Sequence, residues 1–299
     1  MTAKSLIISF AVINRSTLIV QRSTLIVNRS SLKKMKPTLI TALLLMASML
    51  ISCNSKQTAS EPQTEVAVTV TPIPDNAKPR LMPRDLFPAA SDSLVAALGL
   101  ESGVPSSVCA VLVEYQDSKL LFDSGNGIDD SRLLPTLDSL GIQPADIDYI
   151  FLTHLHGDHI GGLVRGDSAV FTNAPIYVAA KEHDAWKERS DNWQRVLAAY
   201  AGRVHFFASG DTLPCSVQPI EAYGHTPGHT IYRIERNLIV GDLMHGVALQ
   251  LSNPDVCARY DMNADSAVIS RKAVLDLARR DSLTLYGMHF PEPYMLTFN

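Results

Sequence analysis

Cysteine is scarce in this chain: four occur in 299 residues. Apart from Cys53, the remaining Cys109, Cys215 and Cys257 form an odd, widely spaced set. That excludes a disulfide framework and favours buried thiols. A basic excess is also lacking. The formal charge is −4, so there is no electropositive footprint for nucleic acid. No long hydrophobic run is present: Leu39 to Ile51 is almost wholly apolar but falls short of the ~20 residues of a membrane-spanning helix. A sustained heptad is missing as well. Asn14-Arg15-Ser16-Thr17-Leu18-Ile19-Val20 recurs as Gln21-Arg22-Ser23-Thr24-Leu25-Ile26-Val27 and in part from Asn28. Its apolar residues run together without a separated seam, which excludes a coiled coil.

What is present divides the chain unevenly. A hydrophobic fraction of 46% is ample for a core. Lys33-Lys34-Met35-Lys36 is basic and precedes the apolar run, as in a secretory signal. Leu50-Ile51-Ser52-Cys53 resembles a bacterial lipobox, in which Cys53 becomes the lipidated first residue. The expected organisation is therefore an upstream extension over 1–34, a lipoprotein-type signal over 35–52, a flexible tether over 53–80 and one large domain over 81–299. The tether is rich in Ser, Thr, Gln and Pro. Within it Val66, Val68 and Val70 alternate as a first strand would. The expected location is exported and membrane-tethered.

The densest chemistry lies at Thr153-His154-Leu155-His156-Gly157-Asp158-His159. Three imidazoles and a carboxylate follow the apolar strand Tyr149-Ile150-Phe151-Leu152. Imidazole nitrogen and carboxylate oxygen suit zinc and neighbouring divalent metals. Further candidates follow: His225 and His229 in Gly224-His225-Thr226-Pro227-Gly228-His229, Asp242 after Leu238-Ile239-Val240-Gly241, and His289 after Leu285-Tyr286-Gly287-Met288. Each lies past a strand end or in a turn, where a rigid scaffold presents chemistry.

These residues resemble the metallo-β-lactamase superfamily, over about Val104 to Pro291. The His-x-His-x-Asp-His run matches His154, His156, Asp158 and His159. Leu120-Leu121-Phe122-Asp123-Ser124-Gly125 resembles the family's strand-Asp-Thr-Gly element, with Ser for Thr. The resemblance implies two divalent metals, zinc first with manganese or iron as alternatives. It implies His154, His156 and His229 at one site, and Asp158, His159 and His289 at the other. Asp242 would bridge them with a water or hydroxide, and Asp158 would also orient the nucleophile or pass a proton. The implied fold is an αβ/βα sandwich of two mixed sheets with outer helices. His156 stands where the electron-transferring branch carries Glu, and Asp242 where true β-lactamases carry Cys or Ser. Val104-Pro105-Ser106-Ser107, Arg259-Tyr260-Asp261 and Met288-His289-Phe290-Pro291 are similar to the methyl-parathion-hydrolase-like and lactonase-like branch.

The implied activity is hydrolysis of a small ester, lactone or organophosphate, with homodimerisation as a further expectation. Two other readings stay open: a mononuclear iron, persulfide-dioxygenase-like oxidoreductase, or a tethered metal-binding protein without catalysis. The family pattern continues for about two strands past His-Phe-Pro, whereas Asn299 is ten residues after His289. Weaker support for His289 is expected from that departure.

The remaining pattern alternates strands and helices. Helices are expected over Ser131–Leu140, Lys181–Arg189, Asp191–Ala201 and Ala264–Ala278. Strands are expected over Ile176–Ala179, Val204–Phe207, Ile231–Ile234 and Leu238–Val240. His225 reads as a structural or ligand-orienting group, His245 as a neighbour of the pocket, and His183 and His205 as surface or core. Trp186 and Trp193 read as packing, and Asp123 as a hydrogen-bonding group beneath the metals.

Overall fold

The computed structural model describes residues 6–13, 20–27 and 67–299. The expected signal segment 35–52, Cys53 and the expected tether up to residue 66 lie outside the described residues. Strand β1 (Leu6–Ile13), which precedes the N-terminal repeat, pairs antiparallel with β2 (Val20–Val27), with Leu6 opposite Val27 and Ile13 opposite Val20. They belong to a unit distinct from Glu65–Asn299. Among the described residues no helix is long and apolar enough to cross a membrane.

The second unit begins before residue 81, so the expected domain boundary moves. Strand β3 (Val68–Pro74) is its first element, and Thr69 to Pro74 pair with Glu114 to Cys109. The Val68/Val70 alternation is that of a sheet strand, which overrides the tether composition around it. Strands β4 (Arg80–Met82) and β5 (Val104–Ser106) form a ribbon flanking helix α1 (Asp92–Ala97), whose Ser91 hydroxyl caps Leu94 N–H.

The hairpin β6 (Cys109–Tyr115) and β7 (Ser118–Phe122) follows. Next come helix α2 (Leu133–Ser139), strand β8 (Tyr149–Phe151) and the single-turn α3 (Gly157–Ile160). A short hairpin, β9 (Val164–Arg165) and β10 (Ser168–Ala169), leads to β11 (Ile176–Ala179), α4 (Ala180–Trp186), α5 (Asp191–Ala199) and β12 (Val204–Phe207). The first sheet runs β12-β11-β8-β7-β6-β3; its β7-β8-β11-β12 part is parallel. The second contains β13 (Gln218–Glu221), β14 (Thr230–Ile234) and β15 (Asn237–Gly241). After α6 (Val247–Gln250) and α7 (Ala264–Asp281), β16 (Thr284–Gly287) and β17 (Met295–Thr297) complete it, in the order β13-β14-β15-β16-β17.

Period-two alternation builds the layers. On β6 and β7, Val111, Val113, Leu120 and Phe122 face the second sheet, where Tyr232, Ile234, Ile239, Tyr286 and Met288 meet them. The alternate residues Leu112, Leu121 and Ile150 turn outward to pack under Leu133, Leu137, Trp193 and Val196. Likewise Ile231, Leu238, Val240 and Leu285 pack under Val274, Leu275 and Ala278 of α7. The result is the αβ/βα sandwich: helix, sheet, sheet, helix. Phe122 and Phe151 stack between the sheets at 5.1 Å; full burial of one such ring contributes about 1.5–3 kcal/mol.

The parallel strands decide where chemistry collects. The loop after β8 and the loop after β15 emerge at carboxyl ends of neighbouring layers, and β16 delivers His289 beside them. At the other end of the chain, β17 pairs antiparallel with β16, Leu285 opposite Leu296. His289 is not weakly held. Its Nδ1 donates to Ser107 O at 2.7 Å, and the Ser107 hydroxyl donates to Phe290 O at 2.6 Å.

Candidate metal centre

Two groups of donor atoms share one carboxylate. His154, His156, His225 and Asp242 bring their donor atoms within 4.8 Å of one another, and so do Asp158, His159 and His289. Asp242 Oδ2 lies 3.3 Å from His225 Nε2 and 3.0 Å from His289 Nε2. Its Oδ1 lies 3.1 Å from His159 Nε2. In the first group the nitrogens contact one another: His154 Nε2 to His156 Nδ1 is 2.9 Å, His225 Nε2 to His156 Nδ1 is 3.0 Å and to His154 Nε2 is 3.1 Å.

The direction of the lone pairs tests whether cations fit here. A neutral imidazole has one donating and one accepting nitrogen. His154 Nδ1 is 3.1 Å from Thr153 Oγ1, whose hydroxyl donates to Asp123. His159 Nδ1 donates to Asp123 Oδ2 at 2.8 Å. His225 Nδ1 faces Asp261 Oδ1 at 3.3 Å, and His289 Nδ1 donates to Ser107 O. Each outer nitrogen is tied to oxygen, so in the neutral ring Nε2 is the nitrogen whose lone pair faces inward, as in metal sites whose outer partners fix the tautomer. Buried His159 Nε2 and Asp242 Oδ1 have no hydrogen-bond partner despite their 3.1 Å approach. They point to a common space instead of to each other. Six of the seven expected ligands, all but His229, lie in these two groups, and the donor set fits two small divalent cations.

His229 lies outside both groups. Its Nδ1 donates to Ala222 O at 3.0 Å, and its Nε2 accepts the Asp242 N–H at 3.1 Å. Both nitrogens are used, so no lone pair is left for a metal. His225 stands in the first group in its place. His229 instead fixes the backbone that carries the shared carboxylate. Gly241 makes room for that contact: it has φ +50°, and a Cβ there would lie 2.7 Å from His229 Nε2. Both histidines belong to one Gly/Pro turn, and residue order alone does not choose between them. The available signal was that His229 abuts β14, where its backbone is already committed to the sheet edge: Thr230 N–H donates to Thr153 O.

Around the groups the scaffold is tightly wired. Asp123 accepts from Thr153 N–H, Thr153 hydroxyl and His159, beneath the site as expected. Buried Glu182, unremarked in the sequence, joins the two ligand loops. It accepts from Leu155 N–H at 3.1 Å, Thr226 hydroxyl at 2.8 Å and Gly228 N–H at 2.8 Å. Gly224, at φ +128°, lets the His225 turn lie against α7, where a Cβ would meet Ala267 N at 2.1 Å. Trp193 is buried and donates to His183, while Trp186 sets its ring edge-on to His156 at 5.2 Å. His245 reaches the site more closely than expected. It stacks on His289 at 5.1 Å, with Nε2 3.2 Å from Asp242 Oδ2.

Charge differs between the groups. Burial drives the pKa of His154 well down and lowers that of His156, and it pushes His225 to about 3. These imidazoles are neutral, the state that binds metal. Burial also opposes charge on His159 and His289, but Asp242 outweighs it, joined by Asp123 and Asp158 at His159 and by Asp158 at His289, and raises both. Burial disfavours the ionised Asp242 too; the surrounding His289, His159 and His225 overcome it and hold it well below the usual carboxylate range.

The comparisons agree with this geometry. The sequence profile of the Metallo-beta-lactamase superfamily matches residues 103–289. An N-acyl homoserine lactonase, AiiA, of Bacillus thuringiensis subsp. kurstaki is 31% identical over 107 residues, 36% of this chain and 40% of the relative. The chain thus spans about two fifths of the length of that relative. Among solved structures, hydrolase AbOPH of the beta lactamase superfamily has TM-score 0.69 and 26% identity, covering 78% of this chain and 90% of the other. AidC, a dizinc quorum-quenching lactonase in complex with its product, has TM-score 0.66 and 25% identity, with 77% and 90% coverage. With more than half its length matched and its donor residues converging at the strand ends, the chain belongs to the metallo-β-lactamase superfamily.

Proposed function

We propose that this protein is a dinuclear, zinc-dependent hydrolase of a small ester, lactone or organophosphate. The observation that carries the reading is the pair of donor groups with Asp242 between them, in the first group and 3.1 Å from His159 Nε2 and 3.0 Å from His289 Nε2 of the second. His154, His156 and His225 would hold one cation, and Asp158, His159 and His289 the other. Three imidazoles and an oxygen of the shared Asp242 would hold the first cation, and zinc can take a water or substrate oxygen as well by expanding to five-coordinate. When bound, the two cations supply Lewis acidity and an activated water at neutral pH.

The chain's own residues do the rest. Asp123, Asp261, Ser107 O and Thr153 Oγ1 hold the imidazoles in the tautomer that presents Nε2. Glu182 keeps the two ligand loops in register. Asp158, 29% exposed at its side chain, is the carboxylate of the groups that faces the entrance. It is placed to orient a water and to pass a proton to the leaving oxygen. The lactonase relatives favour a lactone among the candidate substrates.

The test is metal content followed by turnover. Protein purified without added metal should contain about two zinc per chain and hydrolyse members of a panel of γ-lactones, aryl esters and aryl phosphotriesters. One iron per chain with oxygen uptake on a persulfide would move the protein to oxidoreductase chemistry. Folded protein that refuses zinc would end the reading.

We also propose that the domain is exported and held at a membrane through lipidated Cys53. Support comes from Leu50-Ile51-Ser52-Cys53 after a basic and an apolar stretch. Cys53→Ala should move the protein from the membrane fraction to the soluble one; unchanged fractionation would refute the anchor.

A further inference from the structure

Beside the donor groups a cavity of about 790 Å³ opens at Asp158. Its lining includes three arginines from three separate elements: Arg80 at the start of β4, Arg165 at the end of β9 and Arg195 on α5. The ion pairs among the described residues engage Arg84, Arg233, Arg271, Arg279, Arg280, Lys187 and Lys272, and none of the three. Two carboxylates share the wall, Asp129 and Asp158, and Asp158 belongs to the donor groups. Three cations therefore face one uncommitted carboxylate. Arg195 is steadied by donating to Gly166 O at 2.6 Å, which ties α5 to the β9–β10 turn beside Arg165.

Unpaired arginines repel one another, and exposed chains elsewhere on a surface of net charge −4 have carboxylates to approach. All three are exposed beside the proposed reaction centre, where an incoming anion can reach them. Planar forked guanidiniums match carboxylate and phosphate oxygens. We propose that the substrate carries an anionic group, a carboxylate or a phosphate, in addition to the bond that is cleaved. Arg80, Arg165 and Arg195 hold that group while the ester or lactone lies over the donor groups. This inference rests on the hydrolase reading and narrows its substrate class.

The test compares phenyl acetate with 4-acetoxybenzoate on the zinc-loaded full chain. The wild type should prefer the anionic ester by about tenfold in kcat/KM at low salt, and the preference should shrink at high salt. In Arg165→Ala/Arg195→Ala the ratio of the two esters should fall towards one. Equal rates in the wild type, or a preference that survives the double substitution, overturns the anionic subsite and leaves the hydrolase reading standing. Turnover of neither ester counts against the hydrolase reading. Calorimetric titration of benzoate and of inorganic phosphate then decides the subsite. Weaker binding by the double variant supports it, and equal affinity overturns it. The tighter of the two probes tells carboxylate from phosphate.

Discussion

The two donor groups are unequal halves of one centre. The first is three neutral imidazoles, and its outer partners are a hydroxyl and a carboxylate. The second has a carboxylate of its own, and Asp123 behind His159 adds another. Burial dominates the first group and keeps it uncharged, whereas carboxylates dominate the second and draw protons onto His159 and His289. Identical side chains thus acquire opposite tendencies from their neighbours. The first group is ready for a cation; the second must release protons to take one.

The largest effect expected is from His225→Ala. It should remove the first cation and cost more than the ~10–100-fold typical of losing an orienting group. Metal content near one per chain, with turnover at background, is the expected result. Two tightly bound metals in that variant would overturn the assignment of His225.

Acidification should separate the halves next. Protonated His159 and His289 cannot bind metal, and their raised pKa values keep them protonated to higher pH than an ordinary histidine. Affinity for the second cation should therefore fall more steeply than affinity for the first as pH drops from 7.5 to 5.5. His225 charges only near pH 3, so the first cation should be retained over that range. Zinc titrations at the two pH values check this; a parallel loss at both sites would break the comparison.

His229→Ala should be milder than His225→Ala. It leaves every lone pair of the first group intact but frees the Asp242 N–H. A loss of about 10–100-fold in activity, with both metals retained at saturating zinc, is expected for a group that orients the shared carboxylate. If this variant loses a metal and His225→Ala does not, the two roles are reversed.

The contrast between these histidines shows what the sequence made legible. Strand β11 and β12 and helix α7 were readable because apolar periodicity and caps are local. Asp158, His159 and His154 were readable because their spacing on a loop after a strand carries the chemistry by itself. The choice between His225 and His229 depends on which nitrogen meets Asp242 N–H, a contact across 13 residues and two elements. Glu182 was silent for the same reason: one more acidic residue on a helix gives no hint that it will be buried between two loops. The alternation of Val68 and Val70 made a strand legible, but the polar composition around it put that strand in the tether; only its pairing with β6 shows that it belongs to the domain.

The smallest effect sharpens the comparison further. Asp261 accepts from His225 Nδ1 and is itself approached by Arg271 Nη2 at 3.2 Å. Arg271 is fully buried on α7 and donates also to Leu243 O, Pro254 O and Val256 O. Burial opposes the charge on Asp261, but His225 and Arg271 outweigh it and lower its pKa. The carboxylate therefore stays ionised and makes the His225 imidazole a better electron donor. Asp261→Asn keeps the shape and removes the charge, so first-cation affinity should fall about tenfold, at the low end for an orienting partner. It also leaves Arg271 without its counter-charge, which lowers stability by itself. Thermal melting would register that loss whatever the role of Asp261. The discriminating readout is site selectivity: a purely structural Asp261 would weaken both cations together, whereas a positioning Asp261 weakens the first and spares the second, whose imidazoles rest on Asp123 and Ser107.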